Sequence, residues 1–225
     1  MTKNTPLPSR LLAEFIGSMF LVMAAISPII LFREILGAPL AIAVLADAIA
    51  VAFVLYALID MFEMVSYAHF NPAVTLAMYI DKRIEGFTSL FYIMFQVLGG
   101  IAGVLASHLM FFDRIGILVD ISSVSRPGGN YFAEVLGTFF LILAIFLLVE
   151  KGTERISFTI GALVGGMLLT TSSTMFANPQ VTIARMFTYC DAGISPFDAV
   201  IFIAMEVIGA MLAVMAFRVL NRKIN

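Results

Sequence analysis

The chain has 225 residues, of which 61% are hydrophobic and only 12% are charged; its formal net charge is −2 and its mean hydropathy is +1.04. Soluble globular domains carry about a quarter charged residues, so this composition excludes a water-soluble globular protein and predicts an all-α integral membrane protein. The single cysteine, Cys190, excludes an internal disulfide. The sequence contains no nucleotide-binding loop, metal-ligand cluster or nucleophile–base pair. We therefore expect no enzymatic activity, no cofactor and no nucleic-acid partner.

Six apolar stretches are long enough to cross a bilayer, which takes about 20 mostly apolar residues in a helix. They lie roughly at residues 11–32, 39–59, 88–110, 131–149, 157–176 and 197–217. Residues 1–10 are too short for a secretory n-region with a cleavage site, so we expect the first stretch to be retained as a helix. Because the six spans use nearly the whole chain, we predict a single transmembrane domain over residues 1–225.

The basic residues indicate the orientation of these spans. Nine fall on one side of a six-span topology: Lys3, Arg10, Lys82, Arg83, Lys151, Arg155, Arg218, Arg222 and Lys223. Three fall on the other side: Arg33, Arg114 and Arg126. Cytoplasmic loops are enriched in Lys and Arg, so we predict that both termini are cytoplasmic.

The two halves of the chain repeat each other. AEFIGSMFL at 13–21 returns as AEVLGTFFL at 133–141, NPAVT at 71–75 as NPQVT at 178–182, and QVLGG at 96–100 as EVIGA at 206–210. The repeats cover about residues 10–112 and 128–220. Each holds three spans, an odd number, so the second must enter the membrane from the opposite side. This predicts an inverted repeat, an architecture of channels and transporters.

Each Asn-Pro pair opens a short apolar stretch after a turn-like run, from Asn71 to about residue 80 and from Asn178 to about residue 188. Asn is a preferred helix N-cap and Pro is favoured at the first helical position. Ten helical residues rise about 15 Å, half of a hydrocarbon core. We predict two re-entrant half-helices, buried by the six spans, that enter from opposite faces and meet near the midplane.

These motifs resemble the aquaporin family of major intrinsic proteins. The resemblance rests on HFNPAVT at 69–75, on the second box Asn178-Pro179-Gln180, and on the Ala-Glu-x-x-Gly-[Ser/Thr] start of each half. It covers almost the entire chain. It implies six spans and two half-helices, a homotetramer with one pore per subunit in the bilayer, and passive conduction of water or small neutral solutes such as glycerol. The box residues Asn71, Pro72, Ala73, Asn178, Pro179 and Gln180 would then line or form the pore.

The physics of the predicted junction agrees with such a channel. The positive ends of two half-helices oppose cations, while neutral molecules feel no net repulsion. The amides of Asn71 and Asn178 can each donate to a passing oxygen, so we expect them to orient solutes and interrupt proton hopping. The alternatives are an ion-coupled secondary transporter, or a non-conducting scaffold with the same fold.

The second box departs from the family pattern. Gln180 stands where the family usually has Ala; its amide would either bond across the half-helix junction or intrude on the pore. Val181 stands at the position of the usual filter arginine, and Arg185 follows one turn later. Arg185 would either line the pore or pair with a carboxylate. This pattern resembles a bacterial branch, located in the inner membrane, that includes channels linked to arsenic resistance.

Counting from the boxes gives the other filter candidates. They are Gly166, Met175 and Val51, or Asp47 in place of Val51 if the linker Asp60–Ala68 contains an extra turn. Asp47 could equally form an interhelical hydrogen bond. A filter of Val51, Gly166, Met175 and Val181 would be roomy and apolar. It favours glycerol-like polyols or neutral metalloid hydroxides over strict water selectivity.

Several polar residues are expected to support the fold. The resemblance implies that Glu14 and Glu134, at equivalent points of the two repeats, satisfy backbone groups of the re-entrant segments. Gln96 and Glu206 occupy another pair of matched positions and are interpreted in the same way. His69 is expected to hold its loop through backbone bonds, with pH sensing as the alternative.

Overall fold

The computed structural model describes residues 5–221, and within them the protein is built from helices. In chain order these are α1 (Leu7–Ile29, continued by a π-helical segment Ile30–Ile35), α2 (Leu40–Ser66), α3 (Pro72–Ile80), α4 (Gly86–Met110), α5 (Phe112–Ile115), α6 (Gly129–Lys151), α7 (Ile156–Thr170), α8 (Pro179–Arg185) and α9 (Pro196–Asn221). Lys3, Arg222 and Lys223, used above to predict the orientation, lie outside the described residues.

Five helices, α1, α2, α4, α6 and α9, are long and apolar enough to cross a membrane. The sixth, α7, has 15 residues and rises about 22 Å, less than a full hydrocarbon core of about 30 Å. The predicted span 157–176 therefore ends early, at Thr170. Residues 171–174 are polar, and their side chains compete with the backbone for hydrogen bonds. From there to the second box the chain is non-helical.

Helix α2 is longer than the sequence suggested. Asp60–Ala68 was expected to form a turn-like linker, but residues 60–66 continue the helix. The sequence DMFEMVS contains neither Gly nor Pro, so nothing in it breaks the hydrogen-bond ladder. The helix ends where Tyr67 adopts a left-handed conformation with φ of 70°.

The repeat is visible in the closest helix crossings. α1 packs on α4, and α6 packs on α9 in the same way. A Cβ atom added to Gly99 of α4 would lie 2.3 Å from the carbonyl oxygen of Phe15, and one added to Gly209 of α9 would lie 2.6 Å from that of Val135. Both glycines are thus required for backbone contact between helices. These two crossings frame the half-helices α3 and α8.

Candidate pore at the half-helix junction

The side chains of Asn71 and Asn178 cap the two half-helices. The Asn71 Oδ1 atom accepts hydrogen bonds from the backbone N–H groups of Ala73 and Val74, at 2.8 and 3.4 Å. The Asn178 Oδ1 atom accepts from the backbone N–H of Gln180 at 3.2 Å. Both residues are in extended conformation, with Pro at the first helical position, as the Asn-Pro sequence predicts.

The amide nitrogens of the same two side chains join the half-helices. Asn71 Nδ2 donates to the carbonyl oxygen of Ala177 at 2.8 Å, and Asn178 Nδ2 donates to that of Phe70 at 2.9 Å. The N-termini of α3 and α8 therefore meet. Because an amide nitrogen carries two hydrogens, each Asn keeps one N–H for a further acceptor.

The backbone before each box is held in an unusual conformation. Tyr67, Ala68 and Phe70 have positive φ angles, and so do their repeat counterparts Thr174, Met175 and Ala177. Such left-handed conformations cost energy in residues other than glycine and occur where the surroundings enforce them. The sequence carries no glycine in either segment that would have indicated these turns.

Two buried carboxylates hold these strained segments. Glu14 accepts hydrogen bonds from the backbone N–H groups of His69 and Phe70, at 3.1 and 2.7 Å. Glu134 accepts from those of Phe176 and Ala177, at 3.0 and 2.6 Å. The side chain of His69 contacts Thr75 Oγ1 through Nδ1 at 3.0 Å. Each glutamate thus supplies the acceptors that a non-helical buried backbone requires.

A cavity of about 680 Å³ passes through this junction. Its lining includes the basic residues Arg10, Lys82 and Arg83, the box residues Asn71 and Asn178, and Arg185. Its walls are mainly apolar stripes at helical spacing: Val51, Leu55 and Ile59 on α2, and Ile160, Val164 and Leu168 on α7.

Half of the predicted pore residues line this cavity: Asn71, Asn178, Val51, Met175, Val181 and Arg185. His69, predicted as a supporting residue, also belongs to its wall. Pro72, Ala73, Pro179, Gln180, Gly166 and Asp47 are outside the set of lining residues. Pro72, Ala73 and Pro179 are buried in the first turns of α3 and α8, behind the two asparagines.

Gly166 faces outward, contrary to the expectation from counting back from the second box. It is exposed, and a Cβ atom added to it would have no neighbour within 4 Å. The cavity-facing stripe of α7 runs through residues 160, 164 and 168, so residue 166 lies on the opposite side of the helix. Because residues 171–177 are non-helical, counting back from Asn178 does not identify the residue of α7 that faces the cavity.

Gln180 points away from the cavity. Its Nε2 atom lies 3.4 Å from the carbonyl oxygen of Phe70, across the junction, and its side chain is fully buried. Its Oε1 atom occupies the space beside Gly100 of α4, where a Cβ atom would approach to 2.1 Å. The long side chain is accommodated because α4 has a glycine at this point.

Arg185 and Asp47 are buried beyond the junction. Arg185 Nη2 donates to the carbonyl oxygen of Ala25 at 3.1 Å, and its guanidinium carbon lies 4.1 Å from the centroid of the Phe176 ring. Asp47 lies one turn from Val51, on the same stripe of α2, and is 2% exposed. The two side chains do not form a direct salt bridge among the described residues.

Arg126 is a structural residue that the sequence did not single out. Its guanidinium donates to the carbonyl oxygens of Gly193, Ser173 and Asp191, at 2.8, 3.3 and 2.9 Å, and lies over the ring of Phe176. Burial lowers the pKa of Arg126 to about 10, so it stays charged at neutral pH. It ties the loop before α6 to both flanks of the second box. No local motif indicates this role, because all three partners are backbone carbonyls.

A family comparison agrees with this geometry. The family model described as "Major intrinsic protein" matches residues 1–176 of the chain. The chain belongs to the major intrinsic protein family. The matched range ends two residues before Asn178. The second box, which departs from the family pattern, and Val181 therefore lie outside it.

This major intrinsic protein is similar to one relative over almost its whole length. It is 34% identical over 213 residues to "Aquaglyceroporin AqpS" of Rhizobium meliloti (strain 1021), covering 94% of this chain and 90% of the relative. It is 30% identical over 186 residues to "Aquaporin TIP2-3" of Arabidopsis thaliana, covering 78% and 72%. The X-ray structure of the aquaglyceroporin from Plasmodium falciparum has the same fold, with a TM-score of 0.71 at 16% identity and 94% coverage of both chains.

These matches confirm the predicted fold and the predicted class of function. The protein is a passive membrane channel for water and/or glycerol-like solutes, and not an enzyme. It has the aquaporin fold.

Proposed function

We propose that this channel conducts small uncharged polyols and neutral metalloid hydroxides as well as water, and excludes protons and ions. The observation that carries the proposal is Val181. It lines the cavity without charge or hydrogen-bonding groups at the position where the family usually has an arginine. With Val51 and Met175 on the same wall, it offers carbon-bearing solutes an apolar surface. The name of the Rhizobium meliloti relative, an aquaglyceroporin, agrees with a solute larger than water.

The exclusion of cations is argued from the junction. The positive ends of α3 and α8 meet at Asn71 and Asn178, so a cation there faces repulsion without its hydration shell. Each Asn has one amide hydrogen beyond its hydrogen bond to a carbonyl, and this hydrogen can bind a solute oxygen. A water molecule accepting two such bonds has its hydrogens directed away from the junction, which interrupts proton hopping.

The arrangement in the bilayer is part of the same proposal. A single channel domain forms a homotetramer in the bacterial inner membrane, with a pore in each subunit and both termini cytoplasmic. Large apolar side chains such as Phe53, Phe197 and Val200 are exposed on the outer face of the helices, as contacts with lipid or with neighbouring subunits require. Arg83 and Arg218 both form salt bridges with Asp81, so these two basic residues, which the sequence places on the cytoplasmic side, lie close together.

The proposed solute range can be tested by stopped-flow light scattering of proteoliposomes. Vesicles containing the protein are mixed with osmotic gradients of sucrose, glycerol or a neutral arsenic hydroxide, and empty vesicles serve as the control. We expect fast shrinkage in sucrose and rapid re-swelling in glycerol and in the metalloid. Re-swelling no faster than in empty vesicles would limit the channel to water; no acceleration in any gradient would contradict conduction itself.

A further inference from the structure

The two repeats support their Asn-Pro boxes with different chemistry. In the first repeat, Gln96 Nε2 donates to Glu14 Oε2 at 2.8 Å and lies 3.0 Å from Thr75 Oγ1. In the second repeat, the residue matched to Gln96 is Glu206, and its neighbour matched to Glu14 is Glu134. A carboxyl group therefore stands where the first repeat has an amide donor.

One oxygen of Glu206 has donors and the other has none. Oε1 accepts from the backbone N–H of Asn178 at 3.1 Å and from Thr182 Oγ1 at 2.6 Å. Oε2 is buried without a donor beside it, and the carboxyl group of Glu134 lies close enough to interact with that of Glu206. Both oxygens of Glu134 already accept backbone N–H groups.

Two buried carboxylates in contact cannot both be ionised without a compensating cation. Among residues 5–221, neither glutamate forms a salt bridge. The elements packed on α9 are α6, α3 and α8. α6 contributes Glu134 itself, and the titratable Tyr79 of α3 is half exposed. Arg185 of α8 and Arg126 are near enough for their charges to act on Glu134, which favours one negative charge there, but both donate to backbone carbonyls and neither pairs with a second carboxylate.

We propose that Glu206 Oε2 carries a proton and donates it to Glu134, so that the pair holds one negative charge and Glu206 acts as the counterpart of Gln96. Glu206 is then a positioning residue. It fixes the backbone N–H of Asn178 directly, and through Glu134 it fixes the segment whose Ala177 carbonyl accepts the hydrogen bond from Asn71.

Infrared spectroscopy of the purified protein tests the proton directly, whether or not the channel conducts. At neutral pH we expect a carbonyl band of a protonated carboxylic acid that disappears in the Glu206→Gln variant. The reverse change in the first repeat, Gln96→Glu, should add such a band, because it places a second carboxyl beside Glu14. Identical wild-type and Glu206→Gln spectra in this region would overturn the proposal.

A flux measurement tests the positioning role, and this part rests on the conduction described above. Glu206→Gln should keep the water permeability of the wild type, since the amide reproduces the donor. Glu206→Leu should lower it by roughly tenfold, because the N–H of Asn178 and the hydroxyl of Thr182 lose their shared acceptor. A Glu206→Gln variant as impaired as Glu206→Leu would contradict the protonated state, since only an ionised Glu206 is not replaced by Gln.

Discussion

Asn71 and Asn178 are linked by reciprocal hydrogen bonds, in which each side chain donates to the carbonyl oxygen that precedes the other residue. The donor–acceptor distances are 2.8 Å to Ala177 and 2.9 Å to Phe70. Neither half-helix end can shift without breaking a bond made by the other. The junction is thus a rigid frame, and the second amide hydrogen of each Asn is held in a fixed place.

The Asn178→Asp substitution should raise proton flux through the channel. A carboxylate cannot donate to Phe70, and its negative charge offsets the positive end of α8. We expect an increase of roughly tenfold, the equivalent of about 1.4 kcal/mol in the barrier, measured with a pH-sensitive dye inside proteoliposomes. Asn130→Asp, a matched change outside the cavity wall, should leave proton flux at the wild-type level. An unchanged proton flux in Asn178→Asp would show that the Asn178 side chain caps the helix without contributing to the proton barrier.

Substitutions at Gly100 and Gln180 should be strongly coupled in their effects on thermal stability. Gly100→Ala places a Cβ atom 2.1 Å from Gln180 Oε1, and such overpacking costs about 1–3 kcal/mol. Gln180→Ala removes the obstacle, so the double variant should recover most of the lost thermal stability. Unfolding of the detergent-solubilised variants measures this cycle, and additive losses would contradict the contact.

Gln180→Ala should also conduct water at the wild-type rate, because the Gln180 side chain faces α4 and is absent from the cavity wall. A clear rise in water permeability would instead place the amide in the path of the solute. The stopped-flow water assay distinguishes the two outcomes.

Mercurial reagents should not block the wild-type channel. Cys190 is 2% exposed, and burial raises the pKa of its thiol, so little reactive thiolate is present. A Val181→Cys variant in a Cys190→Ser background should become sensitive, because residue 181 lines the cavity. Water permeability before and after mercurial treatment gives the answer; inhibition of the wild type would show that Cys190 is reached from the pore.

The sequence predicted the fold and the junction because these depend on local chemistry. Asn-Pro is at once a helix cap and a helix start, so residues 71 and 178 could be located without a structure. The internal repeat then indicated that Glu14 is equivalent to Glu134 and that Gln96 is equivalent to Glu206. Glu14 and Glu134 do bind matched backbone segments in the structure. Glu206 also accepts from a backbone N–H, that of Asn178, whereas Gln96 binds the side chains of Glu14 and Thr75 instead of backbone groups.

The features that could not be predicted from the sequence depend on long-range packing and on irregular backbone. Gly166 was placed by counting residues, and the count fails because α7 ends at Thr170 and a non-helical segment follows. The orientation of Gln180 depends on a glycine in another helix, 80 residues away in sequence. Arg126 binds three carbonyl oxygens, which carry no side-chain signature.

The most direct test of the account is the ratio of glycerol to water permeability in Val181→Arg, measured by stopped-flow light scattering beside Val181→Thr, an uncharged control of similar shape. If residue 181 sets the width and polarity of the path, the arginine should reduce glycerol permeability by about tenfold or more, while water still passes and the threonine control retains both. Wild-type glycerol and water permeabilities in Val181→Arg would contradict the assignment of Val181 to the selectivity filter.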